Sequence, residues 1–174
     1  IKQNDTFFLD CQPDLVFHMA AKSLVADGFV DPHLTYETNI LGSYNVLDAA
    51  VKTNAKAVIM VTSDKSYFND DRRDGYCETD QLGGKEPYSA SKACAEIVSR
   101  CFFESQLPKS VHERGFGIAT VRAGNVIGGG DRGSNRIIPD IVRAMESDEI
   151  IYLRNPKSSR PWQYILDCLS GYLL

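Results

Sequence analysis

Tyr88 and Lys92 stand four residues apart at the opening of a segment with helical spacing, which places a phenol and an ammonium on one helix face. A neighbouring cation favours the ionised phenol, so the pair can hold a phenolate able to take a proton from an alcohol. Ser63 lies 25 residues upstream, in Val-Thr-Ser-Asp-Lys-Ser-Tyr (61–67). At the end of a strand its hydroxyl can share the same substrate oxygen. Such a set implies oxidation of an alcohol to a ketone. Asp64 and Lys65 follow directly, and read either as an exposed ion pair or as a second acid and base. Tyr88-x-x-x-Lys92 is a weak signal by itself; its place at the start of a helix, downstream of a strand-end serine, strengthens it.

The elements that must position these groups are legible as periodic patterns. Asp14-Leu-Val-Phe-His18, Ala57-Val-Ile-Met-Val-Thr62 and Gly117-Ile-Ala-Thr-Val-Arg122 read as short buried strands, the second too continuously apolar for a half-exposed one. Ile150-Ile-Tyr-Leu-Arg154 reads as a further strand. Asp31-Pro32 offers a helix cap and first-turn proline, followed by Ile40, Tyr44, Leu47 and Val51 at helical spacing. A second helix is expected from about Tyr88 to Ser105, with Ala90, Cys94, Ile97, Cys101 and Phe102 on its inner stripe, and a third from Ile137 to about Glu146. Residues 67–87 are polar and glycine-bearing, a loop longer than usual and for that reason a functional candidate. Alternation of strand and helix predicts an α/β, doubly wound parallel sheet. Ligands bind such sheets outside the carboxyl ends of the strands, where His18-Met-Ala-Ala21, Ser63-Asp64-Lys65 and Arg122-Ala-Gly-Asn125 all fall.

Bulk properties exclude several classes. The chain has 174 residues, 43% hydrophobic content and a formal charge of -4, with no basic stripe for a nucleic acid. No apolar run approaches the ~20 residues that span a bilayer, and no charged-then-apolar leader opens the chain; a cytoplasmic location and no membrane partner are expected. The five cysteines (Cys11, Cys77, Cys94, Cys101, Cys168) are scattered, so neither a disulfide framework nor a zinc knuckle is indicated, and Cys94 and Cys101 read as core residues. His18, His33 and His112 do not cluster with carboxylates at metal-ligand spacing, and no metal is expected.

Several longer blocks carry a resemblance. Asp64-Lys65, Leu82-Gly-Gly84, Pro87-Tyr-Ser-Ala-Ser-Lys92, Arg122-Ala-Gly-Asn-Val-Ile-Gly-Gly-Gly-Asp131, Ile138-Pro-Asp140, Arg154-Asn-Pro156, Arg160-Pro-Trp-Gln163 and Leu169-Ser-Gly-Tyr-Leu173 together resemble the extended short-chain dehydrogenase/reductase family. Within it they are most similar to the nucleotide-sugar 4,6-dehydratases of the CDP-glucose type. The resemblance implies a Rossmann-like fold lacking its N-terminal βαβ unit, with residues 1–125 a partial NAD-binding domain and 126–174 the start of a small substrate domain. It implies that Tyr88 deprotonates the sugar 4-hydroxyl as C4 gives a hydride to NAD, that Ser63 donates to the same oxygen, and that Lys92 keeps the phenol ionised and binds the nicotinamide ribose. The 4-ketone acidifies C5–H, and Asp64 and Lys65 would divide the acid at the 6-hydroxyl and the base at C5, Asp64 being read as the acid. For Lys65 to act as a base near neutral pH it needs desolvation or a neighbouring positive charge. The product would be CDP-4-keto-6-deoxyglucose, after hydride return to C6. Ala20 and Ala21 correspond to the segment passing the NAD diphosphate; Asn125 and Arg160 to contacts with the substrate diphosphate or its ribose; Arg136 and Pro139 to the nucleotide pocket. Asn39 is expected to bond backbone, and Lys22 stands where glutamine is more usual. A homodimer paired through the helices near 32–53 and 88–105 is the implied assembly.

The same resemblance leaves alternatives open. An epimerase shares Ser63, Tyr88 and Lys92 without needing Asp64-Lys65, a UDP-sugar 4,6-dehydratase can carry an Asp-Lys pair, and a non-catalytic nucleotide-sugar binder remains a third class. The glycine-rich turn that meets the cofactor diphosphate, and the residue that separates NAD from NADP, do not occur in these 174 residues. The chain therefore reads as an internal fragment, expected to be weakly active or inactive when isolated. Calorimetric titration of the isolated chain with NAD should show affinity weaker than micromolar; a micromolar constant would contradict this.

Overall fold

The computed structural model describes residues 2–153 and 155–174, with side chains from Thr6 onward. It forms two compact units, one ending at Ala123 and the other running from Gly124 to Leu174. In the first, α1 (Lys2–Cys11) precedes three strands, β1 (Leu15–His18), β2 (Ala57–Val61) and β3 (Gly117–Val121), which pair in parallel in the order β1-β2-β3. Leu15 lies beside Ala57, and Ala57 beside Gly117. The strands therefore run in phase and their carboxyl ends share one edge. Central β2 explains the unbroken apolar run there: Val58 and Met60 are fully buried.

Between β1 and β2 the chain forms α2 (Val25–Val30), α3 (Pro32–Tyr36), a π-helical turn (Glu37–Leu41) and α4 (Gly42–Val51). Asp31 caps α3, its carboxylate accepting from Leu34 N at 2.9 Å, with Pro32 in the first turn. Between β2 and β3 come a 3₁₀ turn (Asp64–Ser66), α5 (Pro87–Cys101), a second π-helical turn (Phe102–Gln106) and α6 (Lys109–Glu113). The apolar core joins Leu47, Ala49 and Ala50 of α4 to Val58 and Met60 of β2, with Phe8, Phe102, Val111 and Phe116 around them.

The helix faces depart from the periodic reading. Ile97 is 56% exposed and Cys101 is exposed; Cys94 is only half-buried, and of the expected α5 stripe Phe102 alone is buried. Tyr44 is likewise exposed, while Leu47 is buried. What α5 buries instead is small and polar: Ser89, Ser91, Ala95 and Ser99, beside Thr35, Asn39 and Ser43 of the facing segment. Small hydroxyl side chains bond their own helix, as Ser43 does to Asn39 O (2.6 Å) and Ser99 to Ala95 O (2.7 Å), so burial leaves no donor unpaired and the helices can approach closely. The apolar period marked the outer face.

The second unit holds a parallel pair, β4 (Asn125–Ile127) and β5 (Trp162–Tyr164), with α7 (Ile137–Glu146) and α8 (Ile165–Tyr172). Ile150–Leu153, expected as a strand, has no strand structure, and Arg154 lies outside the described residues. Ile150 and Tyr152 are 92% and 89% exposed; β propensity without a partner strand does not organise a backbone. Conversely β4 and β5, three residues each, exist only through each other, and no local pattern announces them. No helix among the described residues is long and apolar enough to cross a membrane. Leu47→Ala, at the fully buried centre of the first core, should lower unfolding free energy by about 3 kcal/mol, measured by urea titration.

Candidate functional site

β2 does not simply stop at Val61. Thr62 N donates to Val121 O (2.9 Å) and Asp64 N to Ala123 O (3.0 Å), so ladder bonding to the end of β3 and the residues just after it carries the chain past the strand end in a defined direction. Ser63 is extended and caps the following 3₁₀ turn: its Oγ accepts from Lys65 N (3.2 Å) and donates to Asp64 Oδ1 (3.0 Å). The Ser63 hydroxyl proton is thus engaged by the adjacent carboxylate, and serving a substrate oxygen requires an exchange of partner. Ser63 is buried, Asp64 half-buried and Lys65 exposed. The fold of this chain therefore does not desolvate Lys65.

Glu86 holds the start of α5. Its carboxylate accepts from Tyr88 N (2.8 Å) and Ser89 N (3.0 Å), with Pro87 in the first turn. Gly84 lets the incoming loop cross that turn, since a Cβ there would lie 2.2 Å from Ala90 N. Tyr88 is half-buried, and Lys92, one turn further, is buried with its Nζ donating to Val61 O at 2.9 Å. The ammonium is therefore anchored at the strand end that carries Ser63. Burial pulls the Lys92 amine down to about 8, against an opposing pull from Glu96. At the end of β1, burial first and the Lys92 charge second hold His18 at about 4, so its imidazole is neutral at physiological pH.

Glu96 is one more turn along α5 and almost fully buried. Its carboxylate accepts from Arg122 Nε and Nη2 (both 2.8 Å), from Thr120 Oγ1 (2.7 Å) and from Thr62 Oγ1. Burial alone would raise this carboxyl, but the hydrogen bonds from Arg122, Thr62 and Thr120 outweigh it and the net direction is downward. Arg122 is pushed above the ordinary guanidinium value by Glu96, against desolvation. The forked pair ties α5 to the ends of β2 and β3. Glu96 was not singled out in the sequence, although Lys92-x-x-x-Glu96 repeats the four-residue spacing that puts it on the Tyr88–Lys92 face.

Ala20 and Ala21 follow β1 at the same sheet edge, exposed and half-buried respectively. Asn39 bonds backbone there, accepting from Lys22 N (2.8 Å) and donating to Lys22 O (3.0 Å) and to Ser91 Oγ (2.9 Å). This fixes the segment after β1 to α5. The unusual Lys22 pairs with Asp27 at 3.3 Å. Ser63, Asp64, Lys65, Tyr88 and Lys92 thus all belong to one unit, whereas Asn125, Arg136, Pro139 and Arg160 belong to the other. In that second unit Asn125 opens β4, Arg136 precedes α7 and pairs with Asp131 (3.1 Å), Pro139 is buried, and exposed Arg160 donates to Ser159 O (2.7 Å).

The model of the family described as "NAD dependent epimerase/dehydratase family" matches residues 1–174. The chain belongs to that family. A CDP-glucose 4,6-dehydratase of Salmonella typhimurium (strain LT2) is 47% identical over 165 residues, 94% of this chain and 46% of that protein. A UDP-glucose 4-epimerase of Mycoplasma pneumoniae is 23% identical over 172 residues, 93% of this chain and 50% of that protein. Among solved structures, a dTDP-glucose 4,6-dehydratase of Streptomyces venezuelae, solved with NAD bound, superposes with a TM-score of 0.82 at 23% identity, covering 97% of this chain and 50% of that one. A Thermotoga maritima UDP-glucose 4-epimerase gives 0.84 at 23% identity, covering 99% and 54%. These superpositions establish the Rossmann-like α/β fold. The epimerase/dehydratase chain spans about half the length of these relatives.

A lysine lowered to about 8 in the folded state is charged in both states below pH 8 and charged only in the unfolded state between about 8 and its ordinary 10.5. The folded state therefore binds fewer protons in that window, and stability rises with pH there, by on the order of 3 kcal/mol. Urea unfolding of the wild type between pH 7 and 10 should show this rise, and Lys92→Met should remove it.

Proposed function

We propose that this chain serves the NAD-dependent dehydration of CDP-glucose to CDP-4-keto-6-deoxyglucose. The observation that carries the reading is the 47% identity to a CDP-glucose 4,6-dehydratase across 94% of the chain, with Asp64-Lys65 placed directly after Ser63 at the sheet edge. An epimerase has no use for that second acid–base pair.

The residues that would hold NAD are Ala20, Ala21, Tyr88 and Lys92. Their chemistry fits: small residues after β1 leave the backbone approachable, and an ammonium already anchored on Val61 O retains donor capacity suited to ribose hydroxyls. When bound, NAD supplies the sink that takes two electrons from C4 and gives them back at C6. Tyr88, as phenolate beside Lys92, takes the proton from the 4-hydroxyl, while the Ser63 hydroxyl turns from Asp64 to that oxygen. With a ketone at C4 the C5 proton is acidic. Lys65 removes it, its desolvation coming from whatever covers the exposed turn once substrate is seated. Asp64 in its acid form donates to the 6-hydroxyl; the C6–O bond breaks, water leaves, and a C5–C6 double bond forms. The protonated Lys65 would return its proton to C5, and bound NAD, giving back at C6 the electrons taken from C4, would not be consumed. Asn125, Arg136 and Arg160 would contribute to the nucleotide diphosphate and ribose, with Pro139 shaping the region around them.

A homodimer fits the apolar side chains left on the outer helix faces, Leu41 (58% exposed) and Ile97 (56%) among them. The test is to incubate the full-length protein with NAD and a panel of nucleotide hexoses and to follow substrate mass. Loss of one water from CDP-glucose is expected; unchanged mass with altered sugar stereochemistry would indicate an epimerase, and no reaction with any hexose a binding protein. Tyr88→Phe should reduce turnover by about 10²–10⁴-fold.

A further inference from the structure

The stretch Ser63–Ser66 is bracketed by a single ion pair. On its entry side Thr62 Oγ1 donates to Glu96. On its exit side the Arg122 guanidinium, forked onto the same Glu96 carboxylate, lies over the Tyr67 ring at 4.7 Å from its centroid. The other neighbour of Tyr67 is Tyr76, with ring centroids 5.0 Å apart and planes inclined by 19°. Arg72 in turn covers Tyr76 at 4.1 Å and is ion-paired to Asp80. Arg122, Tyr67, Tyr76 and Arg72 thus form a continuous stack from the buried Glu96 to the long polar loop.

On its exit side the turn is held by backbone bonds, among them Phe68 N to Gln81 O at 2.8 Å, and the Tyr67 ring is the side chain that ties it to Arg122. Ser66 is fully buried, yet its Oγ has no hydrogen-bond partner among the described residues. Tyr67 N donates to Asp64 O at 3.3 Å, so the position of Tyr67 is passed directly to the residue that carries the carboxyl. Tyr67 also bridges to Leu82, and Gly83 N donates to Ser66 O at 2.9 Å. Tyr88 and Lys92, by contrast, are held by the Glu86 cap and by Val61 O. Ser63 is held through Thr62 and the ladder to Val121.

We propose that Tyr67, clamped between Arg122 and Tyr76, is a positioning residue for Asp64 and Lys65, setting the elimination step apart from the oxidation step. The inference rests on the dehydratase reading above. Loosening the stack shifts the acid–base pair and leaves Tyr88 and Lys92 in place; Ser63, bonded to both Asp64 and Lys65 N, is held back by the ladder bond of Thr62 to Val121. Oxidation at C4 then proceeds, while removal of the C5 proton and departure of water lag behind.

The test uses the full-length protein with NAD and CDP-glucose, quenching the reaction and separating by mass the hexose that has lost two hydrogens from the one that has lost water. Tyr67→Leu should raise the ratio of oxidised to dehydrated sugar by about tenfold, the scale of one lost cation–π contact in a partly buried site. Tyr67→Phe keeps the ring in the stack but loses the phenol's interaction with Arg122 and should move the ratio less than Tyr67→Leu, and Tyr76→Leu, on the loop, should move the ratio in the same direction. Amide hydrogen exchange at residues 64–67 should quicken in Tyr67→Leu, and more than in Tyr67→Phe. If Tyr67→Leu is poorly folded, Tyr76→Leu decides the matter. An unchanged ratio in the folded variants, or an equal loss of both steps, overturns this inference alone. A wild type that removes water from no nucleotide hexose overturns the function and the inference together.

Discussion

Glu96 and Arg122 form a buried, forked ion pair between the middle of α5 and the residue that follows β3. Each charge would be costly to bury without the other, and Thr62 and Thr120 take up further acceptor capacity on the carboxylate. Strand ends of a parallel sheet and the helix that follows one of them have no backbone ladder in common. A side-chain pair has to register them. Here it fixes α5 against the ends of β2 and β3, and with α5 come Tyr88 and Lys92. Because Glu96, Lys92 and Tyr88 are successive four-residue steps on one helix face, fixing one orients all three.

The electrostatics of the edge follow from that arrangement. Lys92 is drawn into the interior far enough that burial dominates its titration, and its charge helps to hold His18 neutral. Glu96 lies close enough to offset part of that burial, yet its carboxylate is directed at Arg122 and the two threonines. The ammonium is anchored by a carbonyl, Val61 O, rather than by a carboxylate. Asp64 and Lys65 occupy a different environment, a short turn with the amine in solvent. One edge thus carries a desolvated cation and a more open acid–base pair side by side.

The long loop after the 3₁₀ turn is more than a connection. Tyr76 stacks on Tyr67, Arg72 covers Tyr76 and pairs with Asp80, and Gly84 lets the returning chain pass against the first turn of α5. Its polar composition gave the appearance of a solvated segment. The order comes from aromatic and guanidinium faces, whose stacking has no signature in sequence spacing.

The three parallel strands, the capped helix after Asp31, the strand-end place of Ser63 and the shared helical face of Tyr88 and Lys92 were all determined by the sequence itself, because each is set by local period, capping or a run of β-branched residues. The periodic reading went wrong where apolar spacing was equated with burial: Ile97 and Cys101 face outward, and serines and small residues fill the helix contact. It went wrong again at Ile150–Leu153, where β propensity found no partner strand. Only the tertiary structure decided that Glu96 is the hub, that Thr62 and Tyr67 bracket the Asp64–Lys65 turn, and that β4 pairs with β5. Each of these joins groups far apart in the chain, and the energy that selects them, whether a shared carboxylate, a stacked ring or a ladder between short strands, arises only when those groups are brought together.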